Sequence, residues 1–161
     1  MKKKVLVVYV LTALAGVGLH FLYRACPTPF VGLFAPVSES VWEHLKLLYW
    51  PFFLASAVLA RGMEGRLRAW SGFLTALLVQ PVALTAVYYL LRAGWGVSGL
   101  ALDIFLYLAV LAGGFLLAFA VYRRGRAEPA LGLLIVLSAI YGVSLMAFTL
   151  AAPQLPIFLA P

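Results

Sequence analysis

The segment Pro36-Val37-Ser38-Glu39-Ser40-Val41-Trp42-Glu43-His44-Leu45-Lys46 sets two carboxylates, an imidazole and an amine within eight residues of one another. His20 and Arg24, spaced i, i+4 at the end of an apolar run, add a second imidazole and a guanidinium, and Asp103 and Tyr107 add a carboxylate and a phenol from a distant stretch. Carboxylate and imidazole together suit zinc, manganese or iron, so His20, Glu39, Glu43, His44 and Asp103 form a candidate divalent-metal set. A catalytic version makes Glu43 or His44 a general base, with Lys46 or Arg24 stabilising developing negative charge. Arg24, Glu39 and Tyr107 are the candidate ligand-binding residues, Arg24 because a guanidinium grips an anionic headgroup. The spacing matches no dedicated metal motif such as His-Glu-x-x-His.

Each of these residues also has a purely structural reading. Ser40 followed three residues later by Glu43 is a capping-box pattern that opens a helix. Glu39 near that N-terminus complements the helix dipole, and Lys46 pairs with Glu43 at i+3. Continuing the helix back to Glu39 places Glu39, Glu43 and Lys46 on one face, with His44 about 100° away. Arg24 at a helix end snorkels toward water.

The elements that position these groups are membrane helices. Of 161 residues, 65% are hydrophobic and 11% charged, and the mean hydropathy is +1.06. A soluble domain is about half apolar and a quarter charged. The composition therefore excludes a soluble fold, a disordered tail and a disulfide-stapled module, and the single cysteine, Cys26, excludes an internal disulfide. The net charge of +7 is read as topology and not as a nucleic-acid surface. Five apolar stretches meet the length of roughly 20 residues needed to span a bilayer. They run over residues 5–23, 41–60, 69–91, 99–122 and 130–150, which predicts an all-α integral membrane bundle and a single transmembrane domain over 1–161. Lys2, Lys3, Lys4, Arg61, Arg66, Arg68, Arg123, Arg124 and Arg126 fall on one side of these spans, and only Arg24 and Arg92 on the other. The positive-inside rule then puts the N-terminus in the cytoplasm and the C-terminus outside. The first span is too long for a signal-peptide core of about 7–15 residues and is read as a retained anchor.

Counting inward from each basic anchor gives depth. His20, His44, Thr85, Tyr107 and Ser144 all come out about 24–25 Å from the cytoplasmic side, in one layer of the outer leaflet. Glu39, Glu43 and Asp103 lie at or beyond that layer. Gln80-Pro81 lies about 18 Å from Arg68, near the midplane, and reads as the support of a proline kink. The loop from Arg24 to Ser40, with Pro27, Pro29 and Pro36 around Phe30-Val31-Gly32-Leu33-Phe34, reads as an interfacial or re-entrant cover over the second span. Small residues at i, i+4 (Gly72/Ala76, Ala109/Gly113, Gly114/Ala118) mark close helix contacts. Trp42, Trp70 and Trp95 fall at interfacial depth, where amphipathic rings are stable.

The stretch Ala35 to Pro51 resembles the signature of an uncharacterised family of small prokaryotic multi-span membrane proteins, a domain of unknown function with a Pro-Val-Asn-Glu-Ser-Val-Trp-Glu-His-Leu-Lys core. Here Ser38 stands in place of the Asn, which keeps a helix-capping side chain. The resemblance implies a prokaryotic plasma-membrane location and singles out Glu39, Glu43, His44 and Lys46, and it implies no activity. Multi-span zinc hydrolases of the alkaline ceramidase type use three histidines in seven helices, which two histidines and five spans do not match.

Together these readings point to a polytopic membrane protein with a polar, outward-facing pocket that binds a metal or a lipid and supports hydrolase-like chemistry. The partners expected are the bilayer, a lipid-linked or amphipathic ligand and another membrane protein. One alternative is a non-catalytic accessory subunit that docks a partner. The other is a small proton- or cation-coupled transporter, which lacks matching polar residues in the inner half.

Overall fold

A computed structural model describes residues 2–160. The chain folds as helices α1 (Lys2–Ala25), α2 (Pro29–Phe34), α3 (Val41–Ala60), α4 (Arg66–Tyr89), α5 (Leu100–Arg124) and α6 (Leu131–Leu150), and no strand occurs among the described residues. A π-helical turn, Leu90–Gly94, carries α4 three residues past the expected end at Leu91, and short 3-10 turns cover Glu128–Ala130 and Pro156–Phe158.

Four helical stretches are long and apolar enough to cross a membrane: Lys3–Ala25, Arg66–Gly94, Leu100–Arg124 and Glu128–Leu150. α3 has the expected bounds but stands outside that set, because Glu43, His44 and Lys46 lower the hydropathy of its first half. Its polar start is compensated by burial. Thirteen of its 20 residues are buried, and it packs against α1, α4 and α6.

Helix pairs approach where side chains are absent. A methyl group added to Gly72 on α4 would collide with the Ala118 carbonyl of α5, so this pair packs backbone to backbone as the small-residue spacing anticipates. Gly142 on α6 leaves room for Tyr49 of α3, whose hydroxyl donates to the Ser138 carbonyl at 2.8 Å. Gln80 departs from its expected role. Its amide lies over Gly114 on α5, and among the described residues neither amide atom has a hydrogen-bond partner, so it satisfies no carbonyl freed by Pro81.

The bundle has two chemically distinct ends. At one, the Lys4 ammonium lies beside Gly62, the Tyr122 hydroxyl donates to the Glu64 carbonyl at 3.0 Å, and Arg68 stands 3.5 Å from Glu128. At the other lie the end of α1, the start of α3, the end of α6 and the C-terminal turn. There Trp42 packs against Phe148 and Phe158, with ring centroids 5.4 and 4.8 Å away. The basic loops thus gather at one end and the chemistry-bearing residues at the other.

Candidate functional site

The segment from Pro36 to Lys46 divides into two constellations, and helix phase explains the division. α3 begins only at Val41, capped by Ser40, whose hydroxyl accepts from the Glu43 amide at 3.3 Å. Glu39 therefore precedes the helix and does not share the face of Glu43 and Lys46, contrary to the i, i+4 expectation. The capping box is also only half formed. The Ser40 amide reaches the Ser38 hydroxyl at 3.4 Å, and the Glu43 carboxylate turns elsewhere.

Glu43 and Lys46 point inward as a buried pair, with side chains 5% and 0% exposed and Lys46 Nζ 2.6 Å from Glu43 Oε2. Lys46 Nζ also donates to the Gly32 carbonyl at 2.7 Å and to Thr149 Oγ1 at 2.6 Å, and the Ala35 carbonyl lies 3.4 Å away. Glu43 Oε2 accepts from the Val37 amide at 2.9 Å, and Oε1 accepts from the Thr149 hydroxyl at 2.9 Å. The three ammonium donors and both carboxylate oxygens are thus engaged. This latch ties α2 and the following loop to α3 and α6, which turns the loop into the cover that its prolines suggest. α2 is itself started by Thr28, whose hydroxyl accepts from the Val31 amide at 3.3 Å.

His44 points the other way, toward α1. Its Nδ1 lies 2.9 Å from the Ser40 carbonyl. A carbonyl only accepts, so Nδ1 carries the hydrogen and Nε2 is the nitrogen turned outward. Nε2 faces Glu39 Oε2 at 3.4 Å, too long for a good hydrogen bond. The His20 ring stands 5.2 Å from that of His44, centroid to centroid, and is braced edge-on by Phe21 at 5.0 Å. One ligand atom each from His20, Glu39 and His44 lies within 4.8 Å of the others. The second Glu39 oxygen, Oε1, accepts from Arg24 Nη2 at 2.7 Å.

A model of the family of unknown function DUF6512 matches residues 1–160, all but the last residue of the chain. The chain belongs to DUF6512. No curated protein and no solved structure matches it. The site of this DUF6512 protein is therefore read from its own residues.

The remaining sequence candidates lie apart from the three-ligand cluster. Asp103 pairs with Arg92 at 3.0 Å, and the Arg92 guanidinium covers the Tyr88 ring at 4.5 Å; Asp103 is not in the metal-ligand group. Tyr107 fills the space over Gly16 between α5 and α1, and its hydroxyl points to the Ala13 carbonyl at 3.4 Å. Ser144 bonds only its own helix, to the Ile140 carbonyl at 2.8 Å. Glu43 and Lys46, candidates for catalysis, have their polar atoms committed to the latch. The cluster is open at the surface, since the Glu39 side chain is 51% exposed. The cavity of about 450 Å³ at the same end belongs to Tyr88, Arg92 and Pro156 and not to the histidines.

Thr149 was absent from the sequence candidates of this DUF6512 chain. A threonine near the end of an apolar helix carries no signal of its own, because its hydroxyl is ordinarily satisfied by the carbonyl one turn back. In this fold its single hydroxyl hydrogen goes to Glu43 Oε1, and the Leu145 carbonyl at 2.9 Å is the competing acceptor.

Proposed function

We propose that this protein is a metal-binding integral membrane protein of a prokaryotic plasma membrane, a five-span bundle whose outer end holds a divalent transition metal through His20, Glu39 and His44. The observation that carries the reading is the convergence of three ligand atoms from α1, the loop before α3 and α3 itself within 4.8 Å. Zinc takes nitrogen and oxygen donors at about 2.0–2.2 Å, and two histidines with one glutamate leave a fourth position open. Small side-chain rotations of these partly exposed groups close that distance.

Two further features support it. His44 is held in the tautomer that offers Nε2, by a carbonyl partner of the kind that orients metal-bound histidines. The latch fixes the loop that carries Glu39. α3 is the fifth span in this reading, antiparallel to α1 and long enough at 20 residues. The basic end faces the cytoplasm by the positive-inside rule, which leaves the metal site outside. His20, Glu39 and His44 would hold the ion, which would supply Lewis-acid polarisation of a water or an anionic oxygen. Glu43 and Lys46 serve it by positioning.

The test is the metal content of the detergent-purified protein beside a His20→Ala/His44→Ala double variant. The expected result is close to one zinc, iron or manganese ion per chain in the wild type, lost in the variant while both stay monodisperse. A wild type that holds no metal, even after incubation with each ion and desalting, overturns the proposal.

A further inference from the structure

Arg24 shares Glu39 with the metal cluster. We infer that the site takes a phosphate monoester, with one phosphate oxygen at the open metal position and two on the Arg24 guanidinium. This inference rests on the metal reading given above and adds the ligand to it.

The geometry starts from one carboxylate with two differently occupied oxygens. Glu39 Oε1 is held by Arg24 Nη2 at 2.7 Å, and Oε2 faces His44 Nε2 at 3.4 Å. A metal bound through Oε2 would therefore stand beside the guanidinium, on the far oxygen of the same group. Arg24 makes no other side-chain hydrogen bond among the described residues, and its side chain is 66% exposed. Most of its five N–H donors remain open to a ligand.

Shape and charge then choose among anions. A guanidinium fork binds two oxygens side by side. A carboxylate that fills the fork has no oxygen left for the metal, whereas a phosphate monoester has three free oxygens on a tetrahedron and serves both. A divalent ion and Arg24, offset by Glu39, leave two positive charges. A phosphate monoester carries about −1.5 to −2 at neutral pH and matches them.

Such a phosphate has two sources, a membrane lipid or a soluble ester. An apolar ring borders the site: Phe21, 5.0 Å from the His20 ring, is 54% exposed. Both sources share the chemistry, and one experiment separates them.

The zinc-loaded protein is reconstituted in phosphatidylcholine nanodiscs and titrated calorimetrically with inorganic phosphate, with zinc content measured on the same samples. Wild type is expected to bind, and Arg24→Ala to bind about tenfold or more weakly with its zinc retained, since a charge-assisted pair is lost. Arg24→Lys restores only part of the loss, because a point charge lacks the fork. Replacing phosphatidylglycerol, an anionic diester, by phosphatidic acid at matched surface charge in the nanodiscs raises the apparent Kd if lipid is the source, and leaves it unchanged if the source is soluble. Zinc-loaded wild type that ignores phosphate, or Arg24→Ala that binds as well as wild type, overturns the inference and leaves the metal reading standing. Absence of zinc from the wild type overturns both, and the zinc assay tells these cases apart.

Discussion

Glu43 and Glu39 stand four residues apart in one signature and meet opposite fates. Glu43 is buried and shares its oxygens among Val37, Lys46 and Thr149. Glu39 is half exposed, and one of its oxygens faces an imidazole nitrogen across a gap too wide for a good hydrogen bond. The first carboxylate is spent on structure, and the second keeps one oxygen without a good hydrogen bond. In a chain with few polar groups, what separates a latch from a site is how many hydrogen bonds remain unmade, not which residue types are present.

Three substitutions test that contrast. Lys46→Ala leaves the Glu43 carboxylate buried without its cation, and breaking such a pair costs about 3–5 kcal/mol. We expect this as a large fall in the unfolding midpoint in detergent, followed by tryptophan fluorescence, and a wild-type midpoint would remove the latch. Thr149→Val keeps the shape and deletes a hydroxyl shared by both charges, with an expected loss of about 1.5–3 kcal/mol in the same assay. A loss no larger than that of a surface substitution would show that Glu43 and Lys46 hold without α6. Arg24→Gln removes an ion pair with side chains 66% and 51% exposed, so its stability effect is expected below about 1 kcal/mol. An effect as large as that of Lys46→Ala would make the outer cluster structural too and erase the contrast.

Much of the fold is legible in the sequence because lipid imposes simple rules. The helices expected over 41–60 and 130–150 match α3 and α6 within a residue at each end, although α3 is not among the four stretches apolar enough to cross a membrane. The Ser40 cap is equally readable. The side-chain partners are less so, because they depend on where the helix starts and on what arrives from far along the chain. Extending α3 back by two residues put Glu39 on the wrong face. Depth groups Asp103 with the histidines, but Arg92, on the other side of the short connection before α5, is the partner it takes. Thr149 had no signal to read. Depth counting puts His20 and His44 in one layer, and their rings stand 5.2 Å apart.

The contact between Lys46 and Thr149 joins positions 103 residues apart in the chain, so the latch cannot be complete before α6 is made. During synthesis α3 emerges second among the long helices, with its charged pair and without the hydroxyl that completes their hydrogen bonds. Until α6 follows, α3 is the helix least able to rest alone in lipid. Truncation before Thr149 should leave it dependent on the insertion machinery, and release of the nascent chain into the bilayer should become complete only once the last helix is made.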